Sequence, residues 1–385
     1  MRIGFDAKRA FHNQTGLGHY SRTLLYALAK YFPYNDYLLF SPKPSKHFSF
    51  SDPSFKSVFP SGIYSGFLSS YWRSMGMIND LKKYKLDIYH GLSHELPAGI
   101  QKTGISSVVT MHDLIFERYP DQYKTLDKLS YRLKFKYACR KADAIIAISN
   151  QTKKDLIELY DANPAKIHVC YQSCNPAFAE PVQDAEKKRV RELYDLPPSY
   201  FLYVGSIIER KNLLGVCKAY SLIRKNTDMP LVVIGKGGKY LQQVKKFIDT
   251  EKLNDRIIFL SEHQNTKTDP GFLTATDFPA IYSQATAMIY PSYYEGFGIP
   301  VLDALWSGIP GITSNTSCLP EAGGPGAFYV DPSSPREIAE KINTILFDSR
   351  TVQDQISLYK PHLEKFTPGT TANSVMDVYR KLVKG

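Results

Sequence analysis

The sequence has no apolar run that approaches the ~20 residues of a membrane-spanning helix. Runs such as Ala144–Ile148 and Leu231–Ile234 are far shorter. A signal peptide needs an unbroken apolar stretch after its basic start, whereas Asp6, Lys8 and Arg9 interrupt the first residues here. We therefore expect a cytoplasmic protein, either free or at the cytoplasmic face of the membrane.

Cysteine is scarce, and glycine and proline are not enriched. The five cysteines are an odd number, and only Cys170 and Cys174 lie close in sequence, so neither a disulfide framework nor a zinc knuckle fits. We expect all five to be reduced core residues. With 24 glycines, 24 prolines and 43% hydrophobic residues in 385, the composition is that of a folded globular protein. At roughly 150 residues per domain, the length favours two domains.

Short apolar runs alternate with longer amphipathic stretches, a pattern typical of βα units that build a parallel sheet. A polar stretch at residues 173–185 interrupts this alternation, which then restarts. We predict an α/β protein with two doubly wound, Rossmann-like domains, residues 1–180 and 181–366, facing each other across a cleft. A helix at about 367–385 would pack back onto the first domain. The predicted strands are Arg2–Asp6, Asp87–Gly91, Ser106–Met111, Asp143–Ile148, Lys166–Tyr171, Tyr200–Val204, Leu231–Ile234, Arg256–Leu260, Ala287–Tyr290 and Gly311–Ser314.

Two features of the first half could contact a ligand. Gly16 and Gly18 lie between the first strand and an amphipathic helix, where backbone amides can approach a phosphate; a flexible surface turn is the alternative. His112 follows a predicted strand, so it lies at the carboxyl end of that strand. It could hydrogen-bond a substrate hydroxyl, or it could simply cap the strand.

In the second half, a strand leads through Gly205 and Ser206 towards Arg210 and Lys211. These two cations could neutralise a diphosphate. The alternative is a solvated pair near the start of a helix, which is the commoner situation for lysine and arginine.

The most informative segment is residues 290–305. A strand ends, a glycine-rich loop carries Glu295, and Pro300 opens a helix whose first turn is predicted to carry Asp303. The loop amides and the helix N-terminus could bind a phosphate, while the two carboxylates could accept hydrogen bonds from sugar and ribose hydroxyls. Otherwise Asp303 would be an ordinary first-turn acid and Glu295 a loop charge.

Taken together, these motifs resemble those of the retaining, nucleotide-sugar-dependent glycosyltransferases of the GT-B fold, of the group 1 or family 4 type, and in particular bacterial mannosyltransferases. Members carry a glutamate, seven residues and a second glutamate around a Gly-Phe-Gly-hydrophobic-Pro core; here the pair is Glu295 and Asp303. The resemblance covers nearly the whole chain. Its other motifs are Thr15–Gly18, Val109–Asp113, Glu209–Asn212, Leu319–Gly323 and Asp331–Pro332.

The resemblance implies that residues 1–180 bind the acceptor and that residues 181–366 bind the nucleotide-sugar donor. It also implies a role for each candidate residue. Glu295 and His112 would be the catalytic residues that face the transferred sugar. Lys211 would bind the diphosphate, and Arg210 could substitute for the arginine that many members have at the position of Ser206. Asp303, one methylene shorter than the usual glutamate, would hold the ribose. The donor-binding residues implied are Gly16, Gly18, Gly205, Ser206, Arg210, Lys211, Phe297, Gly298, Ile299 and Asp303.

The sequence has no Asp-x-Asp motif and no His/Cys cluster with the spacing of metal ligands. We therefore expect a metal-independent reaction without a cofactor, in which Lys211, Arg210 and helix dipoles stabilise the leaving diphosphate. The resemblance implies retention of the anomeric configuration, and GDP-mannose is the first choice of donor. The acceptor would be a glycan or a lipid-linked glycan.

Positive charge is concentrated in the first half. Residues 1–180 contain 24 lysines and arginines against 15 aspartates and glutamates, and residues 124–141 interleave cations with aromatic and leucine side chains. This helix could lie on an anionic membrane or be an ordinary solvated helix. Two alternative functions remain, a nucleotide-sugar epimerase of the same fold and a nucleic-acid-binding protein; the latter rests only on the pI near 9.1, and no recognition motif supports it.

Overall fold

The computed structural model describes residues 1–45, 48–50, 52–64 and 66–384. The chain forms two compact units, one made of Met1–Ser173 with Lys365–Gly385 and the other of Cys174–Glu364. Each unit is built on a single sheet of parallel strands with helices packed against it. The predicted α/β fold with two doubly wound sheets is thereby confirmed.

The first unit contains a seven-stranded sheet in the order β3-β2-β1-β4-β5-β6-β7. The strand order reverses between β1 and β4, the position at which open α/β sheets leave a crevice for ligands beyond the carboxyl ends of their strands. The strands are β1 (Arg2–Asp6), β2 (Asp36–Phe40), β3 (Phe55–Val58), β4 (Ile88–Gly91), β5 (Ser106–Met111), β6 (Ala144–Ala147) and β7 (Ile167–Val169).

The helices of the first unit cover this sheet. Their bounds are α1 (Lys8–His12), α2 (Gly16–Tyr31), α3 (Ser69–Tyr71), α4 (Met77–Lys83), α5 (Ile115–Arg118), α6 (Thr125–Lys141), α7 (Asn150–Tyr160) and, near the C-terminus, α18 (Pro368–Lys384). A π-helical turn, Trp72–Gly76, joins α3 to α4. Ser149 begins α7 by accepting a hydrogen bond from the Thr152 amide. The C-terminal α18 packs against α2, so this unit is formed from both ends of the described chain.

The second unit contains a six-stranded sheet in the order β10-β9-β8-β11-β12-β13, which reverses between β8 and β11. Strands such as β9 and β11 are buried along their whole length, as expected for a parallel sheet covered on both faces. The strands are β8 (Phe201–Val204), β9 (Leu231–Ile234), β10 (Ile257–Phe259), β11 (Ala287–Tyr290), β12 (Gly311–Ser314) and β13 (Phe328–Val330).

Ten helices accompany the second sheet in the described part of the chain. They are α8 (Asp184–Leu193), α9 (Leu213–Ile223), α10 (Lys239–Glu251), α11 (Pro270–Leu273), α12 (Phe278–Ser283), α13 (Ile299–Trp306), α14 (Leu319–Gly323), α15 (Pro335–Phe347), α16 (Ser349–Ser357) and α17 (Tyr359–Leu363). Four of them, α9, α11, α15 and α16, begin at a side-chain cap that their sequence supplies. In α9, for example, Asn212 accepts from the Gly215 amide, and in α15 Ser334 accepts from the Glu337 amide.

The sequence patterns missed three strands, β2, β3 and β13. A short apolar run such as that of β2 has no periodicity that separates it from a piece of buried helix. The edge strands β3 and β13 have only four and three residues. All five cysteines are buried and free, as predicted. Among the described residues, no helix is long and apolar enough to cross a membrane.

Candidate functional site

The candidate site of the second unit lies where its strand order reverses. The adjacent strands β8 and β11 end side by side, so the loops that follow them meet. The first loop begins at Gly205 and Ser206 and then folds back, so that Lys211 lies beside Gly205. A Cβ on Gly205 would lie 3.2 Å from Lys211 Nζ. The second loop carries Glu295. Two segments that are far apart in sequence therefore form one site because their strands are neighbours.

A buried ion-pair cluster occupies this site. Glu295 Oε2 lies 2.9 Å from Arg210 Nη1, and Glu295 Oε1 lies 3.1 Å from Lys211 Nζ. The Tyr290 hydroxyl donates to Glu295 Oε1 at 2.9 Å and is also hydrogen-bonded to the Lys211 ammonium. Burial disfavours the charged carboxylate, but Lys211 and Arg210 outweigh that effect and lower the pKa of Glu295 to about 2. The cluster therefore carries one net positive charge at neutral pH.

The two cations of the cluster have different surroundings. Arg210 also donates to the backbone carbonyl of Tyr294, and its own carbonyl accepts from the Tyr293 amide at 2.8 Å. Arg210 thus ties the loop after β8 to the loop that carries Glu295. The Lys211 ammonium contacts the side chains of Tyr290 and Glu295, and its flexible side chain presents a compact charge that can follow a ligand.

Ser317 and Cys318 hold the backbone of the Glu295 loop. The Ser317 hydroxyl accepts from the Glu295 amide at 3.2 Å and donates to the Glu295 carbonyl at 2.8 Å. The Cys318 thiol lies 2.9 Å from the Phe297 carbonyl and 3.0 Å from the Glu295 carbonyl. Sequence analysis missed both residues, although they directly precede the Leu319–Gly323 motif.

The loop then turns into α13 at Gly298. This residue has φ +123°, a backbone conformation that favours glycine, and a Cβ there would also crowd the Leu319 side chain, with 2.9 Å to its Cδ2. Ile299 opens the helix and presents the helix N-terminus to the site. The Phe297 side chain is buried in the interior, which leaves its backbone as the part that could contact a ligand.

Asp303 is the fifth residue of α13, so the prediction that it lies in the first turn is wrong. The helix begins at Ile299, one residue before the proline that was expected to open it. The carboxyl group is buried, its Oδ1 has no hydrogen-bond partner in the described structure, and burial raises its pKa well above the ordinary value. An ordinary surface acid would not be buried in this way, and the unpaired oxygen can accept or share a hydrogen bond.

In the first unit, the two candidate glycines differ. A Cβ on Gly18 would lie 1.8 Å from the Asn13 carbonyl oxygen, so packing alone requires glycine there. The Asn13 side chain also accepts from the amides of Thr15 and Gly18, which fixes the loop. Gly16 has no neighbour within 4 Å of a Cβ, so packing does not account for it.

His112 is buried at the end of β5, where the sequence predicted it. Its Nε2 donates to the Leu92 carbonyl at 2.9 Å, which leaves Nδ1 as the unprotonated acceptor. Its ring meets those of Tyr20 and His94 edge-on, at 4.6 and 5.1 Å between centroids. Burial lowers the pKa of His112 to about 3, with His94 adding to the effect. It is therefore neutral and can accept a hydrogen bond from a hydroxyl.

A second buried polar network lies beside it, and sequence analysis did not find it. His90 Nε2 and the Tyr20 hydroxyl both reach Thr110 Oγ1, at 2.8 and 3.1 Å, while His90 Nδ1 lies 2.6 Å from the Tyr379 hydroxyl. Because Tyr379 belongs to α18, this network fixes the C-terminal helix to the strand ends of the first unit. No group of three or more His, Cys, Asp or Glu residues in the described chain could hold a metal ion.

Comparisons with known proteins agree with this architecture. The family model described as Glycosyltransferase Family 4 matches residues 16–178, and that of Glycosyl transferases group 1 matches residues 184–358. O-antigen chain mannosyltransferase B of Escherichia coli is 29% identical over 272 residues, which cover 70% of this chain and 67% of the relative. O-antigen chain mannosyltransferase RfbU of Salmonella typhimurium is 25% identical over 300 residues, which cover 78% of this chain and 74% of the relative.

A similar fold is found in Anabaena HepE, whose structure was solved in complex with UDP-glucose. The TM-score is 0.71 at 15% sequence identity, and the match covers 99% of this chain and 100% of that one. At this identity the likeness shows the fold alone. Together with the two family models, it shows that the chain is a glycosyltransferase of the GT-B fold and belongs to group 1, or family 4, of these enzymes.

Proposed function

We propose that this glycosyltransferase moves a mannosyl residue from GDP-mannose to a glycan or lipid-linked acceptor, with retention of configuration and without a metal ion. The observation that supports this most directly is the buried Glu295–Arg210–Lys211 cluster at the strand reversal of the second unit. The choice of mannose comes from the two O-antigen mannosyltransferases that the chain resembles.

The net positive charge of the cluster suits a diphosphate. Lys211 would bind the phosphates, while Arg210 keeps the Glu295 loop in place. As the sugar bond breaks, negative charge grows on the leaving diphosphate, and a fixed cation beside it stabilises that charge more strongly in a buried site than in water. The N-terminus of α13 would add a favourable partial charge. The chain's own groups thus supply the stabilisation that a metal would otherwise give.

Glu295 would hydrogen-bond the transferred sugar rather than attack it. Its Oε1 accepts from Tyr290 and contacts Lys211, and its Oε2 contacts Arg210. A carboxylate with both oxygens engaged and a pKa near 2 is a poor nucleophile. This favours departure of the diphosphate and attack of the acceptor on the same face of the sugar, which retains the configuration.

Asp303 would bind the ribose of the donor. Its Oδ1 is buried without a hydrogen-bond partner in the described structure, and an unpaired buried oxygen is costly unless a ligand satisfies it. A ribose hydroxyl would do so. The missing methylene relative to glutamate would place the ribose closer to α13.

The exposed surface of α6 supports contact with an anionic membrane. Leu126 and Leu129 lie near each other on the helix and are 81% and 57% exposed, so they form an apolar patch on its surface. Cations surround them; Arg132 and Lys134 are already paired with Glu117 and Glu95. A surface with exposed leucines and an excess of positive charge fits anionic lipid.

The donor assignment can be tested with GDP-, UDP- and ADP-sugars. We expect GDP-mannose to raise the melting temperature most, and we expect GDP release on addition of a mannoside acceptor, with EDTA leaving the rate unchanged. The anomeric configuration of the product can be read by NMR. Conversion of the nucleotide sugar alone into its epimer would contradict a transferase and indicate the epimerase. Loss of activity in EDTA, restored by Mg²⁺ or Mn²⁺, would contradict the metal-free reaction.

A further inference from the structure

Two cavities adjoin each other in the first unit, where its strand order reverses between β1 and β4. The apolar cavity, of about 240 Å³, has walls formed mainly by Met75, Leu96, Pro97, Ala98, Leu133 and Tyr137, and Asp6, Arg73 and Ser74 also line it. The aromatic cavity, of about 170 Å³, has walls formed by Phe116, Tyr123, Tyr131 and Phe135 and also contains Arg9, Ser93 and Asp113. Each lies at the carboxyl ends of the strands, where this fold class binds ligands.

Glu95 and Lys134 line both cavities, so their ion pair divides them. Glu95 is fixed, because its Oε2 lies 2.6 Å from Arg73, and Arg73 in turn binds both oxygens of Asp6. Lys134 is not fixed in this way. Its side chain is 43% exposed and makes a 3.1 Å contact with Glu95, and ion pairs as exposed as this add little to stability. The lysine can therefore swing away and join the cavities.

The sizes favour a single site. Sites for small molecules usually exceed roughly 300 Å³; neither cavity reaches that volume alone, whereas the two joined do. The charges between them balance, since Asp6 and Glu95 face Arg73 and Lys134. A neutral ligand could thus extend across both cavities without meeting an uncompensated charge.

The walls of the two cavities fit different chemical groups. In the aromatic cavity, Phe116 lies 4.9 Å from Phe135 and 5.6 Å from Tyr131, measured between ring centroids. Such a wall can pack against the C–H face of a sugar, while Ser93 and Asp113 can bind its hydroxyls. The walls of the apolar cavity are mainly aliphatic, with the Tyr137 ring beside them, and suit a group without hydroxyls.

We propose that the two cavities form one acceptor site, in which the aromatic cavity holds the sugar that receives the transferred residue and the apolar cavity holds an apolar aglycone on that sugar. Lys134 is the movable partition between them. This inference rests on the proposed glycosyltransfer, and it adds the class of acceptor: a glycoside with an apolar group on its anomeric carbon.

The test compares p-nitrophenyl α-mannoside with methyl α-mannoside as acceptors for GDP-mannose. In the wild type, we expect the KM of the p-nitrophenyl glycoside to be at least ten-fold lower than the KM of the methyl glycoside, which is a KM ratio of ten or more. Ala98→Trp places a large side chain at an exposed position of the apolar wall and should reduce this ratio to less than three-fold. Ser130→Trp, on the exposed surface of α6 outside both cavities, should keep the ratio. Lys134→Ala removes the partition and should keep or increase it.

Equal KM values for the two glycosides in the wild type would overturn the inference, as would a ten-fold ratio that survives in Ala98→Trp or is lost in Lys134→Ala. Release of GDP without transfer to either glycoside would also overturn it, since the aromatic cavity should accept a simple mannoside. The KM results leave the transferase activity in place, and in the last case transfer to a different glycan acceptor would show that only the inference has failed. A protein that neither binds nor hydrolyses any nucleotide sugar would instead contradict the proposed function, and the inference would fail with it.

Discussion

The two units share one strand order around their reversal points, yet the charges placed there differ. In the first unit, Arg73 and Lys134 are balanced by Asp6 and Glu95, and burial keeps the neighbouring histidines neutral. In the second unit, Arg210 and Lys211 share the single carboxylate of Glu295. The same arrangement of strands therefore favours a neutral ligand in the first unit and an anion in the second. Substitutions in either unit can test this difference.

The largest expected effect is that of Glu295→Gln in the second unit. We expect transfer to fall by roughly 10³-fold, because the side chain loses the charge with which it orients the sugar, a loss comparable to removing a key transition-state contact. GDP binding should stay the same or tighten, because the cations are no longer partly neutralised. Transfer rates and GDP-induced melting shifts measure the two effects separately.

The control for this variant is Glu340→Gln on α15, whose exposed carboxylate pairs only with Arg336 in the described structure; transfer should be unchanged. If Glu295→Gln retains transfer within a few-fold of the wild type, Glu295 does not contact the reacting sugar. If GDP binding is lost instead, the carboxylate organises the phosphate site.

Lys211→Met should weaken GDP and GDP-mannose alike, since the diphosphate is common to both. A hydrogen bond to a charged group contributes about 1.5–3 kcal/mol, which corresponds to roughly a 10- to 150-fold loss of affinity. Lys218→Met on the exposed side of α9 removes the same charge from the same unit and should leave both affinities unchanged. Calorimetric titration with each ligand measures these affinities. If Lys211→Met binds both ligands as tightly as the wild type does, the phosphates bind elsewhere.

Acid should destabilise the first unit before the second. Burial lowers the pKa values of His90, His94 and His112 to about 3. Their contribution to the free energy of unfolding is therefore complete above the unfolded pKa of about 6.5 and is lost as the pH falls below it. The free energy of unfolding should decrease by roughly 1.4 kcal/mol per pH unit for each histidine. In the second unit, Glu295 has a folded pKa of about 2 and an ordinary value of 4.5, so its contribution is lost only below about pH 4.5.

Urea unfolding followed by hydrogen exchange at pH 7, 6 and 5 would measure this difference, because exchange reports the two units separately. His90→Gln removes one titrating group and should reduce the slope of the first unit by roughly 1.4 kcal/mol per pH unit, the contribution of one histidine. Equal slopes in both units over this range would show that the histidines are not held neutral.

Removal of the Ser317 hydroxyl should have a smaller effect. Ser317→Ala loses two hydrogen bonds to the Glu295 backbone, each of which contributes about 1 kcal/mol, so we expect kcat to fall by roughly ten-fold while the KM for the donor stays near its wild-type value. Thr316→Ala removes a neighbouring hydroxyl that donates to the exposed Tyr293 carbonyl and should lower kcat less than two-fold. Equal effects of the two variants would contradict a positioning role for Ser317.

The comparison also shows which features a sequence can predict. The bounds of β9 and β11 agree with the prediction to the residue, because each is an apolar run between turn residues. The spacing of Glu295 and Asp303 likewise indicated a site. The pairing of Glu295 with Arg210 could not be read in this way, since it depends on β8 and β11 being neighbours in space. The hydrogen bonds of Ser317 depend on the same topology.

The smallest expected effect on sugar transfer in solution concerns the membrane surface of α6, for which the first unit has a candidate and the second has none that we propose. At low ionic strength the protein should float with anionic but not with neutral vesicles. Replacing Lys128, Lys136 and Arg140 with Gln should weaken vesicle binding by roughly 100-fold, since each cation near an anionic surface adds about 1 kcal/mol. Binding should decline as salt rises, because the screening length is about 10 Å at 0.1 M. The exposed trio Lys82, Lys83 and Lys85 provides a control with the same charge change, and its variant should float as the wild type does. If both variants float equally, the attraction is not specific to α6, and an absence of flotation in the wild type would favour an acceptor in solution.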